Sequence, residues 1–371
     1  MARSLLLLLL PSLAAARYLG LRNQGNTCYM NSLLQVLHHL PQFRSSVYDM
    51  PTSINCTAEE WMPLELQRVF FELEHGSEYG VVDVGTERLT KSFGWGPEDV
   101  LVQQDVHEFS RMLCEALQAR LQQWGRRDCV SALFEGTISS VTRCTKVDFT
   151  SEKVERFCDL QMQVHGCSSL QASLREFVRE QVLSGPNAYN TRREDLGRQE
   201  ARRGVRFKTL PPVLLMHLKR FDYDVSTGDM RKLQSEFKFP TLLRLHRFMR
   251  ERPAQGDPSP TYVLYGVLSH VGGAGCGHYV SYVRPLGQRQ WYEFDDTRVR
   301  PVLEEVAVRR QFGGGHSQGG GMLGMGAAPN AYMLVYVRQE EALKATEVDE
   351  GLLPSDVRKH FEQSLRRRRK R

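Results

Sequence analysis

Apolar residues recur along this chain at two different periods, and the change from one to the other divides it. Between Cys28 and Leu40 they fall at Met30, Leu33, Leu34, Leu37 and Leu40, the spacing of one helix face, and Pro41 stops the run. This predicts a buried amphipathic helix opening at Thr27 and Cys28. A second helix is predicted from Glu98 to Trp124, with Val102, Val106, Phe109, Leu113, Leu117 and Leu121 on one side and Gln, Glu and Arg on the other. Past Cys129 the pattern shortens. "LFEGTISSVTRC", "VLLMHLKRF", "YVLYGVLSHV", "GHYVSYVR", "QWYEFDD" and "AYMLVYVR" are brief runs rich in β-branched and aromatic residues, bounded by Gly, Pro or Asp, and they predict strands. A helical block followed by a β block predicts the α+β class.

Other stretches fit neither period. Val182 to Gly204 is polar and turn-rich, which predicts an exposed loop or short helix outside the core. "QFGGGHSQGGGMLGMGAAPN" predicts a flexible loop before the last strand. No internal repeat is present. The N-terminal "MARSLLLLLLPSLAAA" has the basic start, leucine run and Ala-x-Ala-like end of a secretory signal peptide. No other apolar stretch approaches the roughly 20 residues a membrane span needs. The expected organisation is a leader over 1–17, one main domain over 18–338, and a polar helical segment with a basic tail over 339–371.

Charge and cysteine content narrow the classes. The net charge is +6 across 371 residues, and the basic run Arg366 to Arg371 accounts for all of it. The body therefore has no basic excess that would suggest nucleic-acid binding, and the run itself reads as a solvated tail. Eight cysteines at irregular spacing (28, 56, 114, 129, 144, 158, 167, 276) suit a reduced compartment, cytoplasmic or nuclear, which the leader contradicts.

Three residues carry a chemistry together that none carries alone. A thiol is activated by a helix N-terminus or a nearby imidazolium, and Cys28 stands at a predicted helix start. His278 follows the glycine-rich "GGAGCG" and precedes an alternating strand, where Gly275 and Gly277 let another backbone approach closely. Asp295 ends an aromatic strand seventeen residues later, a length that fits strand, turn and return strand. Nucleophile, base and orienting acid are the set an activated thiol requires. Asn23 adds an amide that can donate to a developing oxyanion together with the Cys28 backbone N–H, and Gly25 supplies the turn between them.

"GLRNQGNTCYMNSLLQ" resembles the cysteine box of the ubiquitin-specific protease family, and "GVLSHVGGAGCGHYVSYVR" with "WYEFDD" resembles its histidine box and following aspartate. "QQDVHEF", "LPPVLLMHLKRFDYD" and the closing "NAYMLVYVR" are similar to further motifs of that family, so the resemblance covers about Tyr18 to Arg338. "SFGWGPEDVLVQQDVHEF" and the lack of paired CxxC motifs are closest to the branch containing the herpesvirus-associated member. The resemblance implies a papain-like fold with a helical thumb, a β palm and a β fingers extension that grips ubiquitin. It implies a deubiquitinase with Cys28 as nucleophile, His278 as base and acid, Asp295 as orienting acid and Asn23 as oxyanion donor. It further implies that Gln103, Asp105, Phe221, Tyr223, His270 and Tyr279 hold the ubiquitin tail. Ubiquitin and its conjugates are the implied partners, and no cofactor is required.

Two departures from the family pattern stand out. Many members hold a structural zinc between two CxxC pairs; here Cys144, Cys158 and Cys167 lie in that region unpaired, so no metal is expected. The family's "GGHY" is "CGHY" here, and Cys276 is a candidate resolving thiol that oxidation would join to Cys28. The alternative functions are a ubiquitin-binding pseudoenzyme, a protease for a ubiquitin-like modifier, and a secreted papain-type protease, whose own "CGSCW"-like signature is absent.

Overall fold

A computed structural model describes residues 18–55, 61–224, 228–251, 254, 256–273, 277–314, 329–344 and 350–369. The leader, Cys276 and most of the glycine-rich loop before the last strand lie outside the described residues, as do the expectations attached to them. The chain is α+β and forms two compact units.

The first unit gathers the described parts of 1–125, 279–307 and 347–371. Its centre is the helix Cys28–His38, all eleven residues of which are buried, so the apolar stripe that predicts it understates its enclosure. Pro41 ends that helix and opens the next, Pro41–Tyr48, since a proline fits a first helical turn where no N–H is needed. Helix Trp61–His75 packs against it and against Glu87–Ser92.

The long helix runs over Val106–Gln123, about two turns shorter at its start than the pattern predicts. The Asp105 side chain accepts from the His107 and Glu108 backbone N–H groups, which is the N-cap arrangement that starts a helix. Val102 lies four residues before Val106 and so mimics the helical period. It is instead extended and 56% exposed after a short 3-10 turn at Asp99–Leu101.

Strand Trp291–Asp295 pairs antiparallel with Gly277–Val283 (Ser281 opposite Phe294) and on its other edge with Arg298–Val302. The cysteine helix packs on Trp291–Asp295. The C-terminal helix, Ser355–Arg369, buries Val357, Phe361 and Leu365 within this unit. The basic run therefore is not a free tail: it is helical as far as Arg369, and the Arg368 guanidinium lies 2.9 Å from the buried Glu72 carboxylate.

The second unit, over 126–278 and 308–346, holds two larger sheets and two small hairpins among its described residues. In one, Thr261–Gly272 pairs antiparallel with Asn330–Arg338, which pairs antiparallel with Val213–Lys219, which pairs parallel with Asp159–Gln163. These are the apolar runs of the sequence, and the paired backbone satisfies the buried amides. The other sheet has the order Thr150–Phe157, Gly136–Cys144, Ala201–Thr209, Gln181–Leu183. Its last two strands overlap the segment 182–204 expected to be loop or short helix. A 3-10 turn at Gly185–Asn187 and a small hairpin do lie in the middle of it, but both ends are sheet. Ladder pairing holds these polar residues in strands with little apolar burial beyond Ala201 and Phe207.

Candidate active site

Cys28 is the first residue of its helix and is 2% exposed. Two donors reach its Sγ: the Tyr279 backbone N–H and the Gln103 Nε2, each at 3.5 Å. Both aim an N–H at the sulfur, which sits at a helix N-terminus. The loop before Cys28 is tied down atom by atom. Asn26 N donates to Val100 O at 2.9 Å, and its side chain donates to Leu101 O. Gly25 takes φ +135°, and a Cβ there would lie 2.7 Å from Leu101 Cδ2, so a glycine is required at this turn.

Asn23 is the centre of this loop. Its Oδ1 accepts from Gly25 N at 2.9 Å and Thr27 N at 3.1 Å, and its Nδ2 donates to Asp296 Oδ2 at 2.9 Å. One of the two Nδ2 hydrogens is thus used to fix the amide, and the amide group carries a second. Asp296 also accepts from Asn31 Nδ2 at 2.8 Å and holds φ +50°, a conformation acidic residues reach more readily than most. Gln24 is held at both ends, donating to Thr86 Oγ1 at 2.9 Å and accepting from Thr90 Oγ1 at 3.1 Å.

His278 precedes Tyr279 on the same strand. A ring nitrogen of His278 and carboxylate oxygens of Asp295 and Asp296 lie within 4.8 Å of one another. Among the described residues this is the one cluster of three side chains with metal-ligand chemistry at such spacing. The sequence marks Asp295; the structure adds Asp296, which braces Asn23.

The six residues expected to hold a peptide tail divide into groups. Gln103 and Tyr279 touch the sulfur, and Asp105 caps the helix that follows Gln103. Burial, with Asp105 and Cys28 nearby, pushes the Tyr279 phenol well above its usual range. Phe221 and His270 belong to the second unit and pack edge to face, with centroids 5.5 Å apart. His270 is buried, and burial with Lys232 and His278 nearby pushes its imidazole down to about 3. Tyr223 is exposed on the hairpin Phe221–Asp224 with Asp229–Lys232, directly opposite exposed Met230.

Gly277 bears out the expected close approach, since a Cβ there would lie 2.3 Å from His270 Nε2 and 2.4 Å from Val271 O. Sequence reasoning missed Lys232, whose Nζ donates to His270 O at 2.7 Å and Gly272 O at 3.2 Å. Burial, with Arg220 nearby, pushes that ammonium down to about 7. It also missed Asn31, a polar residue three positions after Cys28 and so on the same helical side as the nucleophile, which was the available signal.

Residues 19–336 match the family profile described as ubiquitin carboxyl-terminal hydrolase. Ubiquitin C-terminal hydrolase 13 of Arabidopsis thaliana is 39% identical over 361 residues, covering 94% of this chain and 32% of that protein. Ubiquitin carboxyl-terminal hydrolase 7 of Drosophila melanogaster is 36% identical over 359 residues, covering 95% of this chain and 31% of that protein. Ubiquitin carboxyl-terminal hydrolase 15 of Saccharomyces cerevisiae is 35% identical, with 92% and 28% covered. The chain spans about a third of the length of these relatives.

Proposed function

Because the chain belongs to the ubiquitin carboxyl-terminal hydrolase family, we propose that it is a thiol-dependent deubiquitinase that cleaves the bond after ubiquitin's C-terminal glycine. The observation that carries this reading is the Cys28 sulfur at a helix start, with the Tyr279 N–H on it and His278 next along that strand. In the reaction, the Cys28 proton passes to the His278 imidazole as the sulfur attacks the glycine carbonyl carbon. His278 then protonates the departing lysine amine, leaving a thioester on Cys28. Water, deprotonated by His278, attacks the thioester and releases ubiquitin. Asp295 holds the imidazole in the tautomer that faces the sulfur. The Cys28 backbone N–H and the free Asn23 amide hydrogen receive the oxyanion, and the Asp296 bond keeps that amide aimed.

The partners in this reading are ubiquitin and its conjugates, with Gln103, Asp105, Phe221, Tyr223, His270 and Tyr279 lining the path of the tail, and nucleic acid has no part in it. Among the described residues no helix is long and apolar enough to cross a membrane, and the cysteine spacing favours the cytoplasm or nucleus. Purified chain incubated with a lysine-linked diubiquitin is expected to release free ubiquitin, and Cys28→Ala to abolish release. Release that persists in Cys28→Ala would refute the assignment.

A further inference from the structure

The C-terminal helix lies beyond the family match, which ends at 336, yet belongs to the same compact unit as Cys28. Its attachment is unusual in chemistry. Glu65 and Glu72 on helix Trp61–His75 are both buried, and the Arg68 guanidinium lies between them, 2.5 Å from Glu65 Oε2 and 2.9 Å from Glu72 Oε1. Each carboxylate gives its other oxygen to an outer arginine: Glu65 to Arg88 at 2.6 Å, and Glu72 to Arg368 at 2.9 Å. A buried carboxylate left short of a partner is costly, so the two ends of this array are coupled through the shared Arg68.

The array ends at the cysteine loop. Arg68 Nη2 also donates to Gly85 O at 3.4 Å, where the chain turns into helix Glu87–Ser92, the helix that carries Arg88. Thr86 and Thr90 on that turn and helix grip both ends of the Gln24 amide, and Gln24 N donates to Thr27 Oγ1 at 3.0 Å, one residue before Cys28. If Arg368 is withdrawn, Glu72 has Arg68 as its remaining cation, and satisfying both oxygens pulls Arg68 away from Glu65 and Gly85.

We propose that Arg368 is a positioning residue for Cys28, acting through the Glu72–Arg68–Glu65 array and the Thr86/Thr90 grip on Gln24. The C-terminal helix is then a control point for the reaction, since any partner or modification that draws Arg368 off Glu72 loosens the cysteine loop. The effect on rate rests on the proposed deubiquitinase activity; the effect on the loop does not.

The test uses the full chain and two readouts. Amide hydrogen exchange in Arg368→Ala is expected to quicken by about five-fold in peptides covering 20–28 and 83–92, the scale typical of coupling through a packed network. With a ubiquitin carrying a C-terminal electrophile, the saturating rate constant is expected to fall by about five-fold with the half-saturating concentration unchanged, and Arg368→Lys to restore it. Exchange changes confined to 61–75 and 355–369 would overturn the proposal, as would a loss of thermal stability with no change in the saturating rate. A wild-type chain inert to the probe would refute the deubiquitinase reading, and the exchange pattern would still decide the role of Arg368. If Arg368→Ala does not fold, Glu72→Gln, which keeps hydrogen bonding but removes the charge, is expected to show the same pattern.

Discussion

The loop before Cys28 and the hairpin that carries Tyr223 both have a part in the proposed reaction, and they are built in opposite ways. In the loop, Asn23, Gln24 and Asn26 each make specific side-chain hydrogen bonds, Asn31 on the following helix shares Asp296 with Asn23, and the nucleophile is nearly inaccessible. The hairpin is two short strands with Tyr223 and Met230 exposed side by side, joined to the sheet below through Lys232 on two carbonyls. In the proposed reading, one region is pre-organised for chemistry and the other presents adaptable surface for recognition. Catalytic groups need fixed geometry, since a small displacement of a reacting atom costs orders of magnitude in rate, whereas a gripping surface tolerates adjustment.

Substitutions should separate the two regions sharply. Asp296→Ala removes the carboxylate acceptor of both Asn23 and Asn31, leaving buried Asn31 only the longer bond to Leu21 O at 3.4 Å. The expected loss is about 2–3 kcal/mol of stability, seen as a lower urea midpoint, with a fall in kcat of about a hundred-fold if the freed Asn23 amide no longer meets the oxyanion. An unchanged kcat would show that Asn23 does not depend on this brace.

The pH response is the intermediate test: its sign is the same in the two regions, stability rising with pH, but its window differs. His39, at the end of the cysteine helix, is pushed by burial from 6.5 down to about 4. It is neutral when folded, so its contribution is fully present above pH 6.5 and is lost as pH falls toward 4, about 3 kcal/mol in all. Lys232, at the end of the hairpin, is pushed from 10.5 down to about 7, so the unfolded chain holds the extra proton between those values and stability rises with pH across that window. Denaturant titrations should show the acid loss shrink in His39→Gln and the alkaline gain vanish in Lys232→Met.

The smallest effect belongs to the hairpin surface. Tyr223→Ala is expected to leave stability within about 0.5 kcal/mol and kcat unchanged while raising KM for a ubiquitin substrate, because an exposed side chain contributes little to the fold. A large fall in kcat would mean that the hairpin shares in the chemistry.

Much of this was legible in the sequence, and the exceptions have physical reasons. The runs "VLLMHLKRF", "YVLYGVLSHV" and "AYMLVYVR" became adjacent strands of the second unit because unbroken apolar, β-branched stretches have few alternatives to a two-sided buried sheet. Cys28, His278 and Asp295 were recognisable by residue type and local setting. Asp296 was not, because what distinguishes it from Asp295 is a positive φ and two asparagine partners remote in sequence. The start of the long helix was misplaced because Val102 keeps the helical period while Asp105 sets the boundary. The strands at the ends of 182–204 were hidden because their residues are polar and held by backbone pairing. The basic run read as tail because the partner of Arg368 is a buried glutamate on a helix nearly three hundred residues earlier.

The nucleophile itself is the claim on which the rest depends. Wild-type chain treated with a ubiquitin whose terminal carboxyl is replaced by an electrophile, then digested and mapped by mass spectrometry, reports which atom attacks. The account predicts a single covalent adduct on Cys28, formed with the wild-type chain and absent in both Cys28→Ala and His278→Ala. An adduct on any other cysteine, or undiminished labelling of Cys28 in His278→Ala, would contradict it.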